Sequence, residues 1–138
     1  MSLLGLSEAA ALAMHATALL AGSPNRPLTT REMAAALDAS EGTLAKAIQD
    51  LRKAGIVKTT RGPSGGARLV VAPEELSLKR IYEAVEGPLT IRTCMFDEPI
   101  CGKAGCVMGH FLEKINREVV EKFDETTLAD FRLEKSAT

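Results

Sequence analysis

Cys94, Cys101 and Cys106 all fall within thirteen residues of a 138-residue chain, and they are its only cysteines. An odd, clustered set does not suit a secreted disulfide framework, where an even number spread along the chain is usual. Thiolates gathered this way bind a metal or sense redox state, and the plainer alternative is that one or two are ordinary loop residues. The Cys-x6-Cys-x4-Cys-x3-His set ending at His110 could hold zinc, although structural zinc sites favour shorter Cys-x2–4-Cys pairs. Cys106 and His110, one turn apart if both lie on a helix, could make a nucleophile and its base. No third orienting group or oxyanion loop accompanies them, and three neighbouring thiols are not what such a site needs, so the chain is read as a non-enzyme. Between Cys94 and Cys106, Lys103 is the only basic residue that could favour a thiolate.

The elements around this loop follow from caps and hydrophobic period. Ser7 caps an Ala- and Leu-rich helix that Gly22 stops, apolar on most sides and so largely buried. Thr29 and Glu32 form a capping box that opens a short helix through Leu37, and Asp38-Ala39 is a tight turn. Ser40 caps a third helix, where Leu44, Ala47, Ile48 and Leu51 follow the i, i+3, i+4, i+7 pattern up to Gly55. The period then changes: Ile56–Thr60 and Arg68–Val71 read as strands of a hairpin whose tip is Arg61-Gly-Pro-Ser-Gly-Gly66. Helices and hairpin in this order make a winged helix-turn-helix. Ser77 caps a further helix to Gly87, and the cysteine loop follows. Val107 to Phe123 reads as a long helix with an apolar stripe of Met108, Phe111, Leu112, Ile115, Val119 and Phe123, which Val120 widens. Thr126 or Thr127 caps a last short helix. The expected organisation is mainly α with a small β-hairpin: a winged unit over 1–87, a cysteine loop over 88–106, and a dimerisation helix with a C-terminal helix over 107–138.

Composition allows a core and excludes an overall basic coat: 46% of residues are hydrophobic and the formal charge is −1. Ala9–Ala21 resembles the apolar part of a signal peptide but has no Lys or Arg before it, and it is too short to span a membrane. A cytoplasmic protein without a membrane partner is the expectation. The near-neutral total hides an uneven distribution. Between Gly42 and Ala72 lie Lys46, Arg52, Lys53, Lys58, Arg61 and Arg68 against Asp50 alone, a net of +5 that leaves −6 for the remainder. Double-stranded DNA attracts such a segment because each neutralised phosphate releases condensed counterions. On the third helix Ser40, Thr43, Lys46 and Gln49 lie toward the N-terminal end, from which base contacts mostly come. Lys53 is better placed for phosphate or solvent. Lys58, Arg61 and Arg68 of the hairpin complete the candidate surface, with Arg61 aimed at a minor groove or backbone and Gly65 and Gly66 allowing close approach to it. The competing possibilities are a merely solvated basic face and a protein-interaction module.

Leu51-Arg-Lys-Ala-Gly-Ile-Val57, Arg61-Gly-Pro-Ser-Gly-Gly66 and Leu78-Lys-Arg-Ile-Tyr-Glu-Ala-Val-Glu-Gly87 together resemble the IscR/NsrR-type winged-helix regulators, the Rrf-two family. The similarity runs from about Leu6 to Phe131. It implies a homodimeric bacterial transcription regulator, whose long C-terminal helix packs against its mate, acting on a pseudo-palindromic operator. A stripe broader than one contact face needs agrees with dimerisation, the alternative being an intrachain core helix. Family members holding an iron–sulfur cluster carry Cys-x5-Cys-x5-Cys before the long helix, whereas the spacing here is Cys-x6-Cys-x4-Cys, so Cys101 is displaced by one position.

The resemblance therefore implies a cluster on Cys94, Cys101 and Cys106, 4Fe–4S in preference to 2Fe–2S, with a fourth ligand from elsewhere. Glu8 matches the position of a carboxylate that crosses the dimer in NsrR-like proteins. The alternative, His110, lies one residue beyond the histidine of IscR-like members, a rotation of about 100° on a helix. His15 reads as a packed histidine. A labile carboxylate ligand suits a sensor of nitric oxide, redox state or iron–sulfur status: cluster loss would repack the loop against the long helix and winged unit and alter operator affinity. The remaining alternative within the family is a cluster-free repressor governed by thiol chemistry or a small ligand.

Overall fold

The structure, a computed structural model, describes residues 6–102, 105–131 and 133. Five helices and one two-stranded antiparallel sheet are formed among them: α1 (Glu8–Ala21), α2 (Thr30–Leu37), α3 (Glu41–Lys53), β1 (Val57–Thr60), β2 (Gly66–Leu69), α4 (Leu78–Glu86) and α5 (Phe111–Glu125). Every expected helix of the winged unit starts where its cap lies. The Ser7 and Ser77 hydroxyls accept the N–H groups of Ala10 and Arg80 at 3.0 and 3.1 Å. At α2 the capping box is reciprocal: Thr29 Oγ1 accepts the Glu32 N–H at 3.1 Å, and the Glu32 carboxylate accepts the Thr29 N–H at 2.8 Å. That backbone bond, with the Arg26 guanidinium 3.1 Å away, holds the Glu32 carboxyl below the usual glutamate range. Asp38 closes α2 in the left-handed conformation at φ 52°, which a short polar side chain tolerates.

α1 runs through the centre. Ala10, Leu12, Ala13, Ala16, Thr17, Leu19 and Leu20 are all buried, and small alanines let α3 and α4 approach it closely. Thr17 is the one polar member of this buried set, and its hydroxyl is satisfied within the helix by the carbonyls of Ala13 and Met14 at 3.0 and 2.8 Å. Leu28, Met33, Leu44, Leu51, Ile56, Leu76, Ile81 and Leu128 close the core around it.

The hairpin differs from expectation in its second strand, which occupies Gly66–Leu69 instead of Arg68–Val71. Val57 pairs with Leu69, Lys58 with Arg68, Thr59 with Ala67 and Thr60 with Gly66. The β-branched pair Val70-Val71 suggests a strand by composition, but the register is set at the other end. Ala67 and Leu28 exchange both backbone hydrogen bonds, at 2.8 and 3.1 Å, so the segment before α2 fixes β2. A Cβ on Gly66, which has φ 142°, would sit 2.6 Å from the Leu28 carbonyl oxygen. The glycine pair is therefore explained by crowding within the chain: Gly65 likewise meets the Thr60 carbonyl. Gly66→Ala should destabilise the protein by about 2 kcal/mol, read as a lowered midpoint in thermal or urea unfolding.

The C-terminal helix also begins later than its apolar pattern suggests, at Phe111 and not Val107. Residues 107–110 form turns, with Gly109 at φ 53°, and Val107 is 98% exposed. No residue of α5 is fully buried; Leu112, Ile115, Val119, Val120 and Phe123 are half-buried, and Phe123 packs edge-on to Tyr82 of α4 with ring centroids 5.9 Å apart. Beyond α5 the chain is tied back by backbone bonds, Leu78 N–H to the Thr126 carbonyl at 2.9 Å and Leu128 N–H to the Leu76 carbonyl at 2.8 Å. The last short helix is a single 3-10 turn, Leu128–Asp130, with Thr127 as its cap.

Candidate functional site

Two surfaces carry the candidate residues. On the first, α3 buries Leu44, Ala47, Ile48 and Leu51, which turns Thr43, Lys46 and Gln49 outward; Ser40 at its N-cap is exposed as well. The Ser40 hydroxyl accepts the Thr43 N–H at a long 3.5 Å, a loose cap that leaves the hydroxyl accessible to a further partner. Lys58, Arg61 and Arg68 are exposed on the hairpin. The register adds what spacing alone did not reveal: Lys58 and Arg68 are directly opposed across the ladder. Like charges so placed repel, and among the described residues neither they nor Lys46 and Arg61 belong to an ion pair. The carboxylates that do pair with Lys or Arg lie elsewhere: Glu32, Glu83, Asp97 and Glu113. A helix with an exposed polar face beside an uncompensated basic hairpin is the geometry that enters a duplex groove and meets its phosphates.

The second surface is the loop from Gly87 to His110. Gly87 ends α4 at φ 84°, and the Glu83 side chain then accepts the Leu89 N–H at 3.3 Å. Arg92 and Asp97 pair at 2.9 Å across the segment that carries Cys94. All three cysteines are free; Cys94 and Cys106 are half-buried and Cys101 is exposed. Cys106 Sγ accepts the Met108 N–H at 3.3 Å. Lys103 lies outside the described residues. Among the described residues no three His, Cys, Asp or Glu side chains are gathered into a metal-holding group, so the thiols share a loop without converging.

Of the two fourth-ligand candidates, Glu8 is exposed in the first turn of α1. The neighbouring Ser7 hydroxyl donates to the Glu86 carboxylate at the end of α4, so this helix terminus stands beside the start of the cysteine loop. His110 is fully exposed, and its Nδ1 is 3.9 Å from a Glu113 carboxylate oxygen. Because α5 starts at Phe111, neither the helical-turn spacing of Cys106 and His110 nor the rotation argument against His110 applies. The nucleophile–base pairing loses its geometric basis for the same reason. His15 is half-buried as expected, with Nδ1 2.6 Å from the Ala11 carbonyl and its ring edge-on to Phe131. Among the described residues no helix is long and apolar enough to cross a membrane.

Known proteins share this fold. Residues 6–132 match the Rrf2 family, described as an iron-dependent transcriptional regulator. The chain is 30% identical over 113 residues to the transcriptional regulator NsrR of Bacillus licheniformis, covering 77% of this chain and 76% of that protein. Among solved structures, CymR, the global cysteine regulator of B. subtilis, superposes with a TM-score of 0.75 at 27% identity, over 91% of this chain and 93% of that one. IscR of T. potens does so with a TM-score of 0.69 at 30% identity, over 94% and 88%.

Proposed function

The chain belongs to the Rrf2 family of DNA-binding transcriptional regulators, which are not enzymes, and on that premise we propose that it is a homodimer sensing nitric oxide, redox state or iron–sulfur status through a cluster held by Cys94, Cys101 and Cys106. The observation that carries this reading is the placement of three free thiols in one loop between the winged unit and α5. Their donor chemistry fits, since thiolates are the standard ligands of iron–sulfur clusters. Glu8, from the opposite subunit, completes the set. Such a group, when bound, supplies reactivity toward nitric oxide and oxygen. The chain's own part is to gather the thiols and to transmit the loop's arrangement along α5, whose C-terminal end the backbone bonds of Leu76 and Leu78 tie to the start of α4.

Dimerisation through α5 is supported by its apolar stripe, which α4 covers only in part. A two-fold dimer reads a pseudo-palindromic site with half-sites separated by whole helical turns. The test is an anaerobic visible and EPR spectrum with iron and sulfide quantified. Protein made with ample iron and sulfide should be coloured and hold both; absence of visible absorption and iron removes the cluster.

A second reading is favoured by a specific observation. The described thiols are not gathered, and the fold is shared with the cysteine regulator CymR. In that reading the protein is a cluster-free repressor governed by thiol chemistry or a small ligand, and it stays iron-free while its DNA affinity responds to thiol oxidation or an effector.

A further inference from the structure

The described part of the chain sorts its apolar residues well, except in one place. Eight large hydrophobic side chains are exposed, and six of them lie between Ile91 and Phe111: Ile91, Met95, Phe96, Ile100, Val107 and Phe111. Four of these are interleaved with the thiols. Met95 and Phe96 follow Cys94, Ile100 precedes Cys101, and Val107 follows Cys106. Met95, Ile100 and Val107 are 69%, 73% and 98% exposed, although the thiols of Cys94 and Cys106 are themselves half-buried. The α5 stripe does not account for them, because all four precede the first residue of that helix.

We infer that Met95, Phe96, Ile100 and Val107 form a water-excluding shell around the ligand that the three thiols hold. The inference rests on the cluster reading above. Each cysteine has a large apolar side chain as its immediate chain neighbour, so gathering the sulfurs brings these residues within one position of the ligand, where a loop turn can fold them over it. The apolar surface that costs free energy while the thiols stand apart is then removed from water, which favours the ligated arrangement. A hydrophobic shell also governs how readily water and oxidants reach such a centre. These four residues would set how long the cluster survives in air, separately from the ligands that hold it.

The test compares the wild-type chain with Phe96→Ser/Ile100→Ser, and with Val70→Ser as an exposed apolar position outside the loop. All are prepared anaerobically with iron and sulfide. At equal iron per chain, visible absorption in air-saturated buffer should bleach roughly tenfold faster in the double variant, and at the wild-type rate in Val70→Ser. Fluorescence of an apolar-surface dye should be lower on the iron-free double variant than on iron-free wild-type protein. Bound iron with equal bleaching rates overturns the shell and leaves the cluster standing. Wild-type protein that takes up no iron overturns the cluster reading, and the shell with it. Should the double variant fail to load, Phe96→Ser and Ile100→Ser are compared singly with wild type at equal iron, and equal bleaching rates in both overturn the shell.

Discussion

Cys94→Ala prepared anaerobically with iron and sulfide is expected to be colourless and iron-free, where the wild-type chain is coloured. Removing one of three thiols leaves two cysteines and a carboxylate, too few soft donors to hold an iron–sulfur centre. Cys106→Ala should behave in the same way. Cys101→Ala provides an internal comparison, because Cys101 is the displaced member of the Cys-x6-Cys-x4-Cys set and the only one of the three that is exposed. If it takes up as much iron as wild type, the ligand set must be rewritten without it. The fourth position separates as cleanly. Glu8→Ala should shift the EPR spectrum of the reduced protein and speed bleaching, whereas His110→Ala should leave both unchanged. The reverse pattern would move the fourth ligand to His110. Colour and iron retained in Cys94→Ala would remove the cysteine loop as the cluster site.

The parts of this protein that were legible in the sequence are those decided by contacts a few residues apart. Ser7, Thr29, Ser40 and Ser77 each accept the N–H of the third residue of the helix they precede, and each helix starts at that residue's neighbour. Leu44, Ala47, Ile48 and Leu51 are buried because a 3.6-residue period puts them on one face. What the sequence misplaced was decided at long range. The strand-like pair Val70-Val71 lies beyond the ladder because Leu28, thirty-nine residues before Ala67, fixes the register. The stripe that continues upstream to Met108 by spacing is broken by Gly109, whose left-handed conformation no apolar pattern announces. At the cysteine loop, spacing identified three thiols and the resemblance said what they resemble. Whether sulfurs converge is a property of loop conformation, and linear order carries no record of it. The opposed charges of Lys58 and Arg68 were equally invisible until the strand register was known.

The surface of α3 and the hairpin proposed to face DNA yields the second large effect. Lys58 and Arg68 face each other on the hairpin with no described carboxylate in salt-bridge range, so the isolated protein carries a repulsion that a phosphate would relieve. Lys46→Ala should weaken binding to the operator by about 1–3 kcal/mol and relax preference at the base it meets. Arg61→Ala acts differently. At the exposed hairpin tip it should lower affinity for operator and unrelated duplex alike and reduce the slope of log affinity against log salt by about one, the signature of one lost phosphate contact. Both side chains are exposed, so unfolding midpoints should stay at the wild-type value and the losses can be assigned to binding. The two variants thus separate reading from holding: one changes the ratio of specific to non-specific affinity, and the other changes both affinities together. Unchanged affinity and salt dependence in both variants would place the DNA-reading surface elsewhere on the molecule. The +5 segment would then be only a solvated face.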